Sequence, residues 1–339
     1  MRLLTAVLAL SAHTAAQAQA PSTPARVREL LTALAHDSMQ GRATGTPGAT
    51  RAVTFIARTM QSIGISPAGD SGFIQRVALS RDSVAGRNGG PPRARITVRA
   101  SFADLDSIPA GRRVPGMNVV GIIQGSDATL KNEYVLIDAH YDHLGVGRAV
   151  DGDSIYNGAD DDASGTVAVL EIARQFRQGN PPKRTVVFMA TTGEEVGLLG
   201  TRWYIAHPVI PLDKMAANLE IEMIGRPDSL AGGPGRAWLT GYERSNMGEQ
   251  LAANGIPIVP DKRPDQQFFQ RSDNIAFARQ GIVAHTLSTF NLHTDYHRPS
   301  DDVNKVDFDH MAAVINAAAK AARLLSDGPR PEWKPGGKP

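Results

Sequence analysis

Between Glu133 and Thr289 the chain alternates apolar runs of strand length with stretches of helical spacing, and few folds tolerate that pattern. EYVLIDAH precedes a helical stretch over 166–177 and TVVFMATT precedes another over 195–206, while NLEIEMIG and GIVAHTLST complete the series. Runs rich in Val, Ile and Leu are covered on both faces. This predicts an α/β fold: a mostly parallel or mixed central sheet with helices on both faces. In such sheets ligands bind outside the carboxyl ends of the strands, which names the places where working residues should gather.

Polar residues do gather there. EYVLIDAH runs into His140-Tyr141-Asp142, TVVFMATT into Glu194-Glu195, NLEIEMIG ends around Glu222, and the segment after GIVAHTLST carries His293 and His297. The run Asp160-Asp161-Asp162, in NGADDDASGT, opens onto the same crevice. Taken singly, a run of aspartates is a solvated turn, an acidic pair after a strand complements a helix dipole, and a lone His is a hydrogen-bonded structural residue. Together they place imidazole and carboxylate donors at one sheet edge, the ligand types a hard or borderline cation takes.

The rest of the chain supports this core. Thr23–Leu34 and Ala49–Ile63 show apolar residues at helical spacing, separated by the glycine-rich GRATGTPG. From Phe73 to Gly125, ARITVRASF and MNVVGIIQG read as edge strands around an exposed loop GRNGGPPRAR. The expected organisation is a signal peptide over 1–18, N-terminal helices and edge strands of the catalytic domain over 19–132, a catalytic core over 133–326 and a flexible tail over 327–339.

Met1-Arg2, the apolar Leu3–Leu10 and the small residues ending Ala16-Gln17-Ala18 describe a secretory signal cleaved after Ala18, so the expected location is periplasmic or extracellular. The apolar run is too short to span a bilayer, and no stable membrane insertion is expected. With Lys+Arg 36 against Asp+Glu 34 and no basic stripe, a nucleic-acid partner is not expected either. The chain has no cysteine, so a metal site must use His, Asp and Glu.

HYDHLG, NGADDDASG, TTGEEVGLLG, EMIG and DYHRPSDD, in this order, resemble the secreted bacterial leucyl aminopeptidases. These are co-catalytic zinc exopeptidases whose family also includes glutamate carboxypeptidases, glutaminyl cyclases and transferrin-receptor ectodomains. The resemblance implies two divalent metal ions, Zn2+ in the family. His140 and Glu222 would hold one, Glu195 and His297 the other, and Asp161 would bridge them. It also implies a cis peptide between Asp161 and Asp162, and an Asp142 carboxylate that accepts a hydrogen bond from His140. Asp160 fills a position often held by Asn, and Asp162 is expected to be a supporting or solvated group. His143 and His293 are expected as surface imidazoles lining the cleft.

One departure stands out. The family most often has Asp where this chain has Glu222, and Glu220, two residues earlier on the same strand face, is the rival ligand. Because Glu195 is assigned to metal, Glu194 is left as the general base and then acid, with Asp142 supporting catalysis. A free α-amine suits the acid-rich crevice, so the substrate expected is a peptide or aminoacyl compound cut from its N-terminus. The alternatives are a carboxypeptidase or dipeptidase reading a carboxylate through Arg226 and Arg298, an N-acyl amide hydrolase, a glutaminyl cyclase and a non-catalytic binding homologue.

Overall fold

The computed structural model describes residues 20–85 and 91–339. The expected signal peptide and part of the loop GRNGGPPRAR lie outside the described residues. Among the described residues there are twelve strands: β1 Ser66–Pro67, β2 Ile74–Val84, β3 Arg93–Val98, β4 Arg113–Ile123, β5 Tyr134–His140, β6 Gly145–Val150, β7 Asp153–Tyr156, β8 Thr185–Thr191, β9 Met215–Glu222, β10 Ala237–Leu239, β11 Ile258–Pro260 and β12 Ala284–Ser288. The helices are α1 Pro24–Leu34, α2 Pro47–Ile63, α3 Ala103–Asp106, α4 Gly165–Gln178, α5 Leu199–Ala206, α6 Met247–Ala253, α7 Asn274–Arg279 and α8 Phe308–Asp327.

One sheet runs β11-β10-β12-β9-β5-β8-β4-β2-β3, and β6 and β7 form a separate ribbon. Its centre is parallel: β5 pairs in parallel with both β8 and β9, and β12 with β9. The mixed α/β sheet expected from the sequence is therefore present. Alternation along the strands divides the core, since successive side chains point to opposite faces. Val135, Ile137 and Ala139 of β5 join Val186 and Phe188 of β8 in the cluster that α1, α2, α4 and α8 cover. Leu136, Val187 and Met189 face the other way, against Tyr204 of α5 and Phe277 of α7.

The N-terminal helices follow their local signals. Thr23 caps α1 by accepting from the Arg26 N–H, Pro24 opens it, and Val27, Leu30, Leu31 and Leu34 form its buried stripe. Thr46 caps α2, which ends on Gly64 at φ 84°, a left-handed position that suits glycine.

Three expectations are corrected. MNVVGIIQG, read as an edge strand, forms β4 inside the sheet between β8 and β2, because β2 and β3 add outside it. The helix expected from 195 begins only at Leu199, after a turn in which Gly193, Gly197 and Leu198 all have positive φ. The expected flexible tail is packed. Trp333 bridges to Ser245, donates its indole N–H to the Gly281 carbonyl at 3.0 Å and lies against Phe269 and His285. Its proline-rich composition removes helix and ladder options, yet side chains hold the segment down: beside the Trp333 anchor, Arg330 donates to the Met215 carbonyl and Lys334 pairs with Glu249 at 2.7 Å. Among the described residues no helix is long and apolar enough to cross a membrane.

Candidate metal centre

The carboxyl ends of β5, β8, β9 and the segment after β12 converge as the sheet rule requires. His140 closes β5 and is fully buried. Its Nδ1 lies 3.1 Å from the main-chain carbonyl of Asp142, which can only accept, so Nδ1 carries a proton and Nε2 is the nitrogen turned towards Asp161. This corrects the expected role of the Asp142 side chain, whose Oδ1 stands 3.8 Å away. That carboxylate instead accepts from the Thr44 hydroxyl at 3.0 Å and from the Glu194 main-chain N–H at 3.1 Å.

The three aspartates have three different duties. Asp161, after a tight turn at Gly158 (φ 53°) and joined to Asp162 by the cis peptide that the resemblance implied, stands in the middle. Its Oδ1 is 3.4 Å from His140 Nε2 and its Oδ2 is 3.2 Å from His297 Nε2. Asp160 points the other way, accepting from the Gly225 N–H at 2.6 Å and contacting His293 Nε2 at 3.0 Å. Asp162 is buried rather than solvated and accepts from the N–H groups of Met223 and Gly165, which ties the loop to the end of β9 and the start of α4.

Donor atoms of His140, Asp161 and Glu222 lie within 4.8 Å of one another, and so do those of His143, Asp161 and Glu195. Asp161 belongs to both groups. His297 joins the second, with Nε2 3.2 Å from Glu195 Oε2. His143, expected at the surface, is fully buried with Nδ1 2.7 Å from Glu195 Oε1, because it packs against the Cα of Gly158, where a Cβ would meet its ring. His293 stays with Asp160, outside both groups. Glu220, the rival of Glu222, accepts from the Ser272 hydroxyl, the Thr286 hydroxyl and the N–H groups of Asp273 and Asn274. Its oxygens are satisfied there, which leaves Glu222 as the β9 carboxylate in the cluster.

Two donors that share a tetrahedral zinc at about 2.0–2.2 Å stand roughly 3.3–3.5 Å apart, close to the His140–Asp161 and His297–Asp161 separations. His140 Nε2, Asp161 Oδ2 and His297 Nε2 are all buried without a hydrogen-bond partner. Buried polar atoms are rarely left so, and a shared cation satisfies all of them. The residues present fit a divalent-metal site.

The electrostatics agree. Burial opposes charge on His297, but Asp161 and Glu195 outweigh it and push it up to about 10. Burial, with Glu220 and Asp161 beside it, pushes the Glu222 carboxyl up to about 8. Burial and the neighbouring acids raise Glu194 well above the usual carboxylate range, against the pull of His140. Acids crowded this closely retain protons unless cations sit among them.

Two supports were not picked out from sequence. Asp301 accepts from the N–H groups of Asp160 and Asp161. Arg42, fully buried, donates to the carbonyls of Leu34, Tyr141, Asn157 and Gly158 and so fixes the loop that carries Asp161. Both lie inside motifs quoted above, GRATGTPG and DYHRPSDD, but motif membership alone does not assign a role.

The pattern of peptidase family M28 matches residues 118–322, more than half of the chain. The chain belongs to peptidase family M28. Its fold is shared with an aminopeptidase from Aneurinibacillus sp. strain AM-1, at TM-score 0.64 and 15% identity over 92% of this chain and 96% of that one. A zinc aminopeptidase from Bacillus subtilis follows at TM-score 0.62 and 16% identity, covering 91% and 96%. Glutaminyl cyclase of Porphyromonas gingivalis aligns at TM-score 0.61 and 14% identity, covering 91% and 98%. In sequence the M28 chain is 28% identical over 196 residues to a vacuolar membrane protease of Aspergillus clavatus, a match of 57% of this chain and 19% of the relative. This M28 peptidase thus spans about a fifth of the length of that curated relative.

Proposed function

We propose that this M28 peptidase is an exported, metal-dependent aminopeptidase that uses two divalent ions, zinc in the first instance. The observation that carries the reading is the double use of Asp161, whose two oxygens face His140 on one side and His297 on the other. His140 and Glu222 would complete one ion's ligands and Glu195 and His297 the other's. Bound ions would supply Lewis-acid polarisation of the scissile carbonyl and acidification of the attacking water.

The protein's own groups do the rest. Asp142 fixes the His140 tautomer through its carbonyl, leaving Nε2 to donate its lone pair. Through its carboxylate it also holds the main chain of Glu194, so first ligand and base are set by one residue. Glu194, with Oε2 4.0 Å from His140 Nε2, takes the proton of the attacking water and delivers it to the leaving amine. Glu194, the one cavity acid not assigned to an ion, is the carboxylate left to face the ammonium of a free N-terminus.

Of the two arginines considered for a carboxypeptidase, Arg226 is engaged with Asp295 at 2.7 Å and Asp301 at 3.3 Å, so it is a poor carboxylate receptor. Export rests on residues 1–18 alone. The test is metal analysis with turnover of a panel of free and N-acetylated aminoacyl amides. Two ions per chain and cleavage of the free compounds only are expected; equal cleavage of acetylated substrates would remove the aminopeptidase assignment.

A further inference from the structure

The cavity beside the candidate metal centre has a second end that the proposed chemistry does not use. Its wall is aromatic and continuous. Tyr296 stacks on His297 at 3.8 Å, Phe290 lies 5.1 Å from Tyr296, and Phe268 lies 5.9 Å from Phe290 and 5.0 Å from Trp238. Beyond Phe268 comes Arg271, its guanidinium 5.1 Å from the ring centroid. Contact by contact, the ladder leads from a proposed metal ligand to a cation, and both line the same cavity.

Arg271 has no carboxylate or hydrogen-bond acceptor for its side chain among the described residues. The buried indole N–H of Trp238 has none either. Both groups can only donate, so the complementary ligand is an acceptor, and opposite a guanidinium it is an anion. The charge balance points the same way. With two divalent ions in place, the four cavity carboxylates are neutralised and Arg271 is left as the uncompensated charge. A neutral substrate lying along the aromatic wall would strip water from that cation without giving it a partner, an unfavourable exchange that a carboxylate reverses.

We infer that Arg271 is a specificity-determining residue that receives a substrate carboxylate at the far end of the aromatic wall. This rests on the exopeptidase reading above. The carboxylate has two possible sources, an acidic side chain on the residue released or the free C-terminus of a very short peptide.

The test compares matched pairs on metal-loaded protein: glutamyl- against glutaminyl-p-nitroanilide for the side chain, and leucyl-glycine against leucyl-glycine amide for the terminus. In the native protein one carboxylate-bearing member should exceed its neutral partner by about tenfold or more in kcat/KM, as a charge-assisted pair supplies. Arg271→Met should abolish that preference while changing the neutral member by less than about threefold, and Arg271→Lys should restore part of it. No preference within either pair, or an equal loss on both members in Arg271→Met, overturns the inference. If no substrate turns over, the exopeptidase reading fails separately, and calorimetry with free glutamate and glutamine still decides. Tighter glutamate binding that Arg271→Met removes supports the receptor, and equal binding overturns it.

Discussion

The carboxylate of Asp142 accepts the main-chain N–H of Glu194 at 3.1 Å, joining the segment after β5 to the segment after β8. Its other oxygen takes the Thr44 hydroxyl, so the link is buried and fully used. Asp142→Ala should therefore retain metal yet lower kcat by about 10–100-fold with KM little changed, the scale of groups that orient a site from behind. Metal analysis with steady-state kinetics checks this; loss of metal with no separate effect on kcat would make Asp142 a ligand support only.

The aspartate run separates by substitution. Asp161→Ala should lose metal and activity together, since both of its oxygens face candidate ligands. Asp160→Ala and Asp162→Ala should keep most of the metal and lose about 1–3 kcal/mol of stability each, because Gly225, Met223 and Gly165 are left with unpaired buried N–H groups. Denaturant melts beside metal titrations distinguish the two outcomes. Metal loss confined to Asp160→Ala would shift the assignment by one residue.

The two glutamates of β9 should behave oppositely. Glu222→Asp is expected to bind metal and turn over substrate, and Glu222→Ala to lose an ion. Glu220→Ala should keep both ions but destabilise the fold by several kcal/mol, as it strands four buried donors. Equal metal loss from the two alanine variants would reopen the choice of ligand.

His285 provides a pH dependence away from the metal centre. Burial, against the pull of its hydrogen bond to the Thr240 carbonyl, pushes this imidazole down to about 4, and Ser245 Oγ fills its other nitrogen at 2.7 Å. A folded-state value below the ordinary one near 6.5 means that the unfolded chain binds the proton more readily. The contribution is complete above about pH 6.5 and is lost as pH falls towards 4, a change of roughly 3 kcal/mol. Unfolding free energies measured between pH 4 and 7 should fall less steeply in His285→Phe than in the native protein. Parallel curves would contradict the assignment.

Much of this was legible in the sequence because it is written locally. Continuous apolar runs exposed β5, β8, β9 and β12, helical spacing exposed the N-terminal helices, and the sheet rule then pointed to His140, Glu194, Glu195, Glu222 and His297. What local pattern does not carry is pairing at a distance. β4 reads the same inside a sheet as at its edge, and nothing near Trp333 reveals the surface formed by Gly281 and Phe269. His143 looked exposed because its burial depends on a glycine fifteen positions on, and Arg226 looked available because Asp295 and Asp301 approach it only in the folded chain.

Metal content and turnover measured on one preparation of Glu194→Gln test the shared-aspartate centre and its base together. Two ions per chain, with turnover reduced by about 10²–10⁴-fold, is the expected result for a base that is not a ligand. Turnover equal to that of the native protein, or loss of an ion with the substitution, would contradict the assignment of Glu194.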